Sequence, residues 1–405
     1  MKILMITPYL PYPPSSGGQV RSYNLIKQLA TRHEITLFSL IKDPGEKKYV
    51  KKLLHYCRKV GVFARSKKAW NLKNILQTGF GLFPFLVVRN FSSEAKWALV
   101  KELKNYHYDL IHAETFYVMP HLPMSAVPVL LVEQTIEYQV YAHFAKNLTG
   151  WARLLKPLLY LDVAKLRWWE KYYWQKAEGV IAVSEADKNK MMTLCPRLKV
   201  GVVPNGAGED LMKLWGKTKP AKKPTFFFQA NFSWLQNIEA ARILAREVFP
   251  RIKKEIPEAE CWIVGQSARD KIGSLSSADV KIVDLKTADI KGVVEAYKQA
   301  TVFIAPLQGP GGTRLKILAA MAAGVPVITT RVGIEGIDAR DGREIIIRDN
   351  WSEMARAAVL LIRQKKARFG LAYSARKLIE RRYSYQSIAR SLARVYREIA
   401  DEKKS

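Results

Sequence analysis

The residues best suited to chemistry lie in one stretch of the second half of the chain, 309–328. It opens with a glycine-rich turn and continues into an alanine- and leucine-rich segment. Glycines let a ligand approach the backbone closely, and the free N–H groups at a helix start favour a phosphate. Arg314 and Lys316 add positive charge at that end. The stretch therefore predicts a phosphate-binding turn, with a plain surface loop before a helix as the alternative.

Two apolar runs frame this turn and must position it. Residues 301–305 predict a buried parallel strand, and a second strand is expected after Gly324, which ends the helix. The whole is a strand–loop–helix–strand unit whose helix start faces the loop. Neither the Walker pattern nor G-x-G-x-x-G is present, so the unit is neither a P-loop nor a standard dinucleotide fingerprint.

The same stretch resembles the donor-binding segment of glycosyltransferase family 4, in the subset reading "APL-x-x-GGGTRLKILEAMA-x-G-x-PVV". The resemblance continues through residues 333–336. It implies the GT-B fold, an α/β architecture of two Rossmann-like, doubly wound parallel-sheet domains that face each other across a cleft. It also implies that the loop and helix hold the diphosphate and ribose of a nucleotide-sugar.

Further positions match the family pattern along the chain. The first strand feeds a glycine pair, which in the family lies beside the donor phosphates or the acceptor, and Arg21 follows one helical step later. The resemblance predicts these donor-binding residues: Gly17, Gly18, Asn231, Asn237, Gly265, Gly311, Gly312, Thr313, Arg314, Lys316, Ile317 and Glu335.

Two departures from the family pattern affect the predicted chemistry. Many relatives read "EHN-x-E" where this chain has Gln134 and Thr135, and glutamine cannot shuttle a proton. His112 or Glu137 is therefore a candidate catalytic residue beside Arg314 and Lys316, with a structural role as the alternative for each. Ala319 replaces a glutamate that grips the ribose in relatives, and Glu335 is a candidate to take over that contact.

Composition points to a polyanionic partner. The chain has 66 Lys and Arg against 36 Asp and Glu, which gives a net charge of +30. Residues 42–104 carry 15 of these basic residues against four acidic ones, with aromatic residues interleaved. A solvated basic face is one interpretation, and a surface for anionic lipid headgroups is the other. The resemblance favours the membrane over nucleic acid.

A long helix predicted over 151–176 has the same two interpretations. Its Trp and Tyr residues alternate with Lys and Arg, which suits an interfacial helix, but a core helix fits equally well. Pro157 is expected in its first turns or at a kink. No apolar run reaches the roughly 18 residues that span a bilayer, and no signal peptide is visible.

The remaining signals concern compartment and boundaries. Three scattered cysteines argue for a reducing compartment and against a zinc site, so we expect a cytoplasmic protein without metal ligands. The basic stretch and the resemblance add the expectation that it is peripheral on the inner face of the plasma membrane. Expected boundaries are an acceptor-binding domain over 1–206, a linker over 207–223, a nucleotide-sugar domain over 224–382, and a basic helix over 383–405 that crosses back. Ser184 with Asp187, and separately Asp289, are predicted helix caps.

The predicted function is transfer of a hexosyl-type sugar from a nucleoside-diphosphate sugar to a hydroxyl acceptor that is lipid-linked or a glycan. The resemblance implies retention at the anomeric carbon, no obligatory metal and no cofactor beyond the donor. Ala319 and Gln134 motivate one alternative, a catalytically impaired sugar-binding or scaffold protein. The net charge alone motivates another, a nucleic-acid-binding protein, although no recognition motif supports it. An epimerase on the same fold is a weaker enzymatic alternative.

Overall fold

Short, mostly apolar runs of two to eight residues build two parallel sheets in the computed structural model, which describes residues 1–68, 70–216, 223–286, 289–309 and 315–403. Strands of this kind are buried on both faces, which is why they are almost continuously hydrophobic. In the first sheet the strands are β1 (Lys2–Thr7), β2 (Glu34–Ile41), β3 (Lys59–Ala64), β4 (Leu110–Glu114), β5 (Val129–Glu133), β6 (Gly179–Ala182) and β7 (Val200–Val202). In the second they are β8 (Thr225–Asn231), β9 (Glu260–Gln266), β10 (Val280–Asp284), β11 (Val302–Ala305), β12 (Val327–Thr329) and β13 (Ile346–Ile347).

Helices connect the strands in both halves of the chain. In the first half they are α1 (Gly17–Leu29), α2 (Val50–Leu53), α3 (Leu72–Phe80), α4 (Phe85–Asn90), α5 (Ser93–Asn105), α6 (Glu137–Lys146), α7 (Lys156–Lys176) and α8 (Glu185–Leu194). In the second they are α9 (Glu209–Met212), α10 (Leu235–Ile243), α11 (Phe249–Glu255), α12 (Ala268–Ile272), α13 (Ile290–Gln299), α14 (Leu315–Ala323), α15 (Trp351–Arg363), α16 (Lys365–Leu378) and α17 (Tyr385–Glu402).

The chain divides into two compact units, each with its own sheet. Unit 1 comprises Met1–Pro204 and Ala389–Ser405, and unit 2 comprises Asn205–Ile388. The strand order is β3-β2-β1-β4-β5-β6-β7 in the first sheet and β10-β9-β8-β11-β12-β13 in the second. All pairings within each sheet are parallel among the described strands. Each half is therefore a doubly wound, Rossmann-like α/β unit.

Local sequence signals account for several element starts. The Asp187 amide donates to Ser184 Oγ over 3.0 Å and the Gly292 amide to Asp289 Oδ1 over 2.8 Å, so both predicted caps are confirmed. The predicted helix over 151–176 is a 3₁₀ segment, Gly150–Leu155, followed by α7, with Pro157 in its first turn. Proline fits there because the first-turn N–H groups have no partner within a helix.

Two stretches have more structure than the sequence predicts. The basic stretch 42–104 contains β3 and the helices α2 to α5, which its high charge hides from a hydrophobic-pattern search. The first half of the stretch expected as a linker packs on unit 2, because Ala207, Leu211 and Leu214 join its hydrophobic core.

Gly265 marks the tightest backbone approach in the second sheet. It pairs with Ala230 of the neighbouring strand, and a Cβ at position 265 would lie 1.7 Å from the Ala230 carbonyl oxygen. The glycine is therefore required by the packing of β8 on β9, whatever else it contacts.

Replacement of Gly265 by alanine should lower the free energy of unfolding by about 3 kcal/mol, because backbone atoms must move to relieve the overlap. Chemical denaturation followed by circular dichroism measures this. Gly273→Ala is the matched control, since nothing lies within 4 Å of a Cβ built there. Equal stability of the two variants would contradict the packing role.

Candidate functional site

Both sheets reverse their strand order beside their first strand. In unit 1 the reversal lies between β1 and β4, and in unit 2 between β8 and β11. Doubly wound sheets bind ligands outside the carboxyl ends of their strands at such a switch point. These two edges are therefore the candidate functional sites.

Glu114, the last residue of β4, is the centre of the edge in unit 1. Its side chain has no solvent exposure and accepts hydrogen bonds from His112 Nε2 over 2.6 Å and from Gln134 Nε2 over 2.5 Å. His112 Nδ1 lies 2.6 Å from the Tyr396 hydroxyl of α17. With Nε2 donating to the carboxylate, Nδ1 of the neutral ring accepts the hydrogen bond from the Tyr396 hydroxyl.

Arg21 of α1 brings the compensating positive charge. Its Nε lies 3.7 Å from Glu114 Oε1, and both side chains are fully buried. The guanidinium also donates to the carbonyl oxygens of Val203 and Pro204, over 3.1 and 2.7 Å. Burial would raise the pKa of the Glu114 carboxyl, but the hydrogen bond from His112, the Arg21 charge and the Gln134 amide together hold it below the ordinary value.

The backbone around this cluster is constrained. Gln134 Nε2 also donates to the Tyr9 hydroxyl over 2.7 Å. A Cβ at Gly18 would lie 2.3 Å from that hydroxyl oxygen, so the predicted glycine makes room for Tyr9 in the first turn of α1. Thr115 directly after Glu114 has a φ of 71°, which a β-branched residue rarely adopts. Such strain is often found at functional sites.

The two unit 1 candidates for catalysis have different surroundings. His112 is fully buried and both ring nitrogens have protein partners, so its geometry favours a positioning role through Glu114. Glu137 opens α6 and is partly exposed. Burial raises the pKa of Glu137 to about 7, against a smaller lowering by Arg89. Glu137 therefore has the protonation behaviour of an acid–base residue near neutral pH.

Glu170, which the sequence did not single out, completes the start of α6. This fully buried residue of α7 accepts the backbone amides of Glu137 and Tyr138 over 2.7 and 3.0 Å. Burial and the neighbouring Glu137 raise the pKa of Glu170 well above the ordinary value. Glu170 of α7 therefore caps the start of α6, because the N-cap residue Ile136 has no polar side chain to do so.

In unit 2 a cation is held at the corresponding edge. Lys316, in the first described turn of α14, donates to the Asn237 Oδ1 atom, and its ammonium lies 5.6 Å from the Phe228 ring centroid. Asn237 Nδ2 donates in turn to the Asn231 carbonyl oxygen over 2.6 Å. The predicted residues Asn231, Asn237 and Lys316 therefore form one connected array at the end of β8.

The other predicted donor-binding residues of unit 2 are placed as follows. Ile317 is fully buried in the hydrophobic core, so its side chain is not at the edge and only its main chain could contact a donor. Glu335 lies partly exposed in the loop after β12, and Ala319 is partly buried against the core. Gly311, Gly312, Thr313 and Arg314 lie outside the described residues and stay predictions.

Comparisons with known proteins decide the family. The model of the family described as Glycosyltransferase Family 4 matches residues 15–210, and that of the Glycosyl transferases group 1 matches residues 223–364. Together the two matches span most of the chain and both units. The chain belongs to glycosyltransferase family 4.

Relatives and solved structures agree with this assignment. The glycosyltransferase is 21% identical to an uncharacterized 44.6 kDa protein in the cps region of Klebsiella pneumoniae. The match covers 96% of this chain and 98% of the relative. It resembles sucrose-phosphate synthase from Thermosynechococcus elongatus with a TM-score of 0.71 and 16% identity, over 99% and 100% of the two chains. It resembles Anabaena HepE in complex with UDP-glucose with a TM-score of 0.65 and 16% identity, over 98% and 100%. These likenesses show the predicted GT-B fold.

Two findings bear on metals and membranes. Within the described ranges, no three His, Cys, Asp or Glu side chains are grouped so that they could hold a metal ion. Among the helices the structure describes, none has both the length and the hydropathy to cross a bilayer.

Replacement of Glu114 by alanine should lower the free energy of unfolding by about 3–5 kcal/mol, because Arg21 then stays buried without its carboxylate. Urea denaturation measures the loss. Glu295→Ala removes an exposed carboxylate paired with Lys298 and should cost no more than about 0.5 kcal/mol. A Glu114 variant as stable as this control would show that the ion pair is not required.

Glu137 should make the protein less stable as the pH rises. In the native state the Glu137 carboxyl stays protonated up to about pH 7, whereas in the unfolded chain it loses its proton near pH 4.5. The free energy of unfolding should therefore fall by up to about 3 kcal/mol through this window. Glu137→Gln should remove that contribution, so its stability relative to the wild type should be greater at pH 8 than at pH 4. Parallel stability–pH curves for the two proteins would count against a raised pKa.

Proposed function

We propose that this glycosyltransferase moves a hexosyl residue from a nucleoside-diphosphate sugar to a hydroxyl group of a glycan or lipid-linked acceptor, with retention and without an obligatory metal. The anomeric carbon–oxygen bond to the diphosphate breaks, and the acceptor oxygen bonds to the same face of the sugar. The products are the glycosylated acceptor, a nucleoside diphosphate and the proton released by the acceptor hydroxyl.

The observation that carries this proposal is the placement of Lys316. Its ammonium is held at the switch point of the second sheet by the neutral carboxamide of Asn237. This hydrogen bond fixes the position of the ammonium. A cation fixed in advance where negative charge develops on the leaving diphosphate lowers the barrier, because it needs no reorganisation during the reaction.

The sequence-predicted turn supplies the rest of this electrostatic site. Gly311, Gly312 and Thr313 are proposed to donate backbone N–H groups to the diphosphate, and Arg314 to add a second charge. Glu335 is proposed to accept the ribose hydroxyl hydrogen bonds. The UDP-glucose complex of Anabaena HepE supports a nucleotide-sugar as the class of donor.

Unit 1 is proposed to supply the acceptor side. The Glu114 cluster fixes the ends of β4 and β5, with His112 as a positioning residue. Glu137 is the proposed acid–base residue, because its pKa of about 7 allows it to exchange a proton with an acceptor hydroxyl near neutral pH. The K. pneumoniae relative in the cps region supports a role in polysaccharide assembly.

A second candidate function is that of a GT-B protein that binds the donor but does not transfer the sugar. Ala319 favours it, since an alanine packed against the core cannot accept the ribose hydroxyls. Loss of such contacts typically costs about 1–3 kcal/mol of binding.

Lys316→Ala should lower turnover by at least about 100-fold, measured as release of nucleoside diphosphate from a panel of donors. Lys298→Ala is the matched control, because Lys298 is on the exposed surface of α13 and pairs with Glu295. The wild-type rate should survive a metal chelator. Full activity of the Lys316 variant would refute the site, whereas calorimetric binding of donor without turnover by the wild type would favour the second function.

A further inference from the structure

Helix α3 presents its apolar side to solvent. Leu72, Ile75, Leu76 and Phe80 recur at helical spacing, and their exposed fractions are 71, 46, 47 and 91%. Asn74, on the opposite side, is only 3% exposed. An amphipathic helix on a protein surface normally has the reverse orientation, with the apolar side inward. The orientation of α3 therefore needs an explanation outside its own unit.

Polar contacts hold α3 in this orientation. Ser66 Oγ donates to Asn74 Oδ1 over 3.2 Å, and Asn71 caps the helix by accepting the Asn74 amide over 2.8 Å. At the other end, Lys165 Nζ of α7 donates to the carbonyl oxygens of Thr78 and Gly81, over 2.6 and 2.7 Å. The helix is fixed to the protein through its polar side and its C-terminal carbonyls.

The contact with α7 joins a second exposed apolar stripe to the first. Leu158, Leu161 and Trp168 of α7 are 66, 62 and 57% exposed. Trp169 Nε1 donates to the carbonyl oxygen of Leu82, which is itself 82% exposed, over 3.0 Å. We name the combined area the α3–α7 surface, defined by Leu72, Leu76, Phe80, Leu82, Leu158 and Leu161.

The segments that carry this surface are basic. Residues 64–91 contain five Lys and Arg and no acidic residue, and residues 146–169 contain five against Asp162 alone. The carboxylate of Asp162 is engaged within the protein, because its Oδ1 accepts a hydrogen bond from the Phe85 amide over 2.8 Å. Lys68, Lys73, Arg153 and Arg167 are exposed.

We infer that the α3–α7 surface docks on a bilayer that contains anionic lipid, with its apolar side chains among the acyl chains and its basic side chains at the headgroups. Exposed Leu, Phe and Trp next to Lys and Arg are the composition of interfacial helices. Lysine is depleted in protein–protein interfaces, which argues against a partner protein. Each basic residue near an anionic leaflet adds attraction that salt screens.

A groove continues from this surface. The lining of a cavity of about 740 Å³ includes the apolar residues Leu82, Phe83, Val87, Val88 and Phe91 and the charged residues Lys73, Glu94 and Lys96. Leu82 belongs to both the groove and the α3–α7 surface. An apolar wall that continues from a docking surface gives a lipid chain a path from the bilayer onto the protein. The inference is independent of the proposed transfer reaction, because it concerns binding to lipid alone.

Flotation of the full chain with vesicles tests the docking. The wild type should bind vesicles of phosphatidylcholine mixed with phosphatidylglycerol, and bind less at high salt and to phosphatidylcholine alone. Phe80→Ser with Leu82→Ser should weaken binding at least about tenfold, since two apolar side chains no longer enter the bilayer. Lys68→Glu with Lys73→Glu should weaken it similarly on anionic vesicles only.

Matched controls come from unit 2. Leu360→Ser with Phe369→Ser removes side chains that are 52 and 65% exposed, and Lys365→Glu with Lys366→Glu reverses two exposed charges. Both controls should bind like the wild type, and every variant should keep the wild-type melting temperature.

No vesicle binding by the wild type, or equal losses in variants and controls, would overturn the inference. Self-association abolished by Phe80→Ser with Leu82→Ser, without vesicle binding, would assign the surface to a second copy instead.

Discussion

The reversal of strand order beside the first strand of each sheet is the constraint on which the rest of the structure depends. The connections that follow β1 and β4 run in opposite directions, as do those that follow β8 and β11. A gap therefore opens between the two strands of each pair at the carboxyl edge of the sheet. Side chains that follow those strands must meet there. In unit 1 they gather around the carboxylate of Glu114, and in unit 2 around the ammonium of Lys316. The same topology thus produces two polar edges of opposite character.

The two edges differ in how their charge is treated. A carboxylate as buried as Glu114 is costly unless it is paired and hydrogen-bonded, and Arg21, His112 and Gln134 together satisfy it. This edge is a rigid platform, tied to α17 through Tyr396. The Lys316 ammonium is oriented by the neutral carboxamide of Asn237.

Much of the fold could be predicted from local sequence, and less of the site. Apolar runs such as 301–305 and caps such as Ser184 and Asp289 are local signals, and the structure has the corresponding elements. The members of the Glu114 cluster come from α1, β4, the residue after β5 and α17, and no local pattern links residues that distant. Glu170 likewise caps a helix 33 residues away from its own position. The outward apolar side of α3 could not be predicted either, because this helix was not predicted from the sequence and an apolar pattern does not say which side of a helix faces solvent.

The measurement that tests the central claim most directly is a crystal structure of the full chain grown with a nucleoside diphosphate. The account predicts the diphosphate at the carboxyl edge of the second sheet, within hydrogen-bond distance of Lys316 Nζ and of the backbone of Gly311 and Gly312. A diphosphate bound at full occupancy elsewhere, with Lys316 still on Asn237 and no phosphate oxygen near it, would contradict the account.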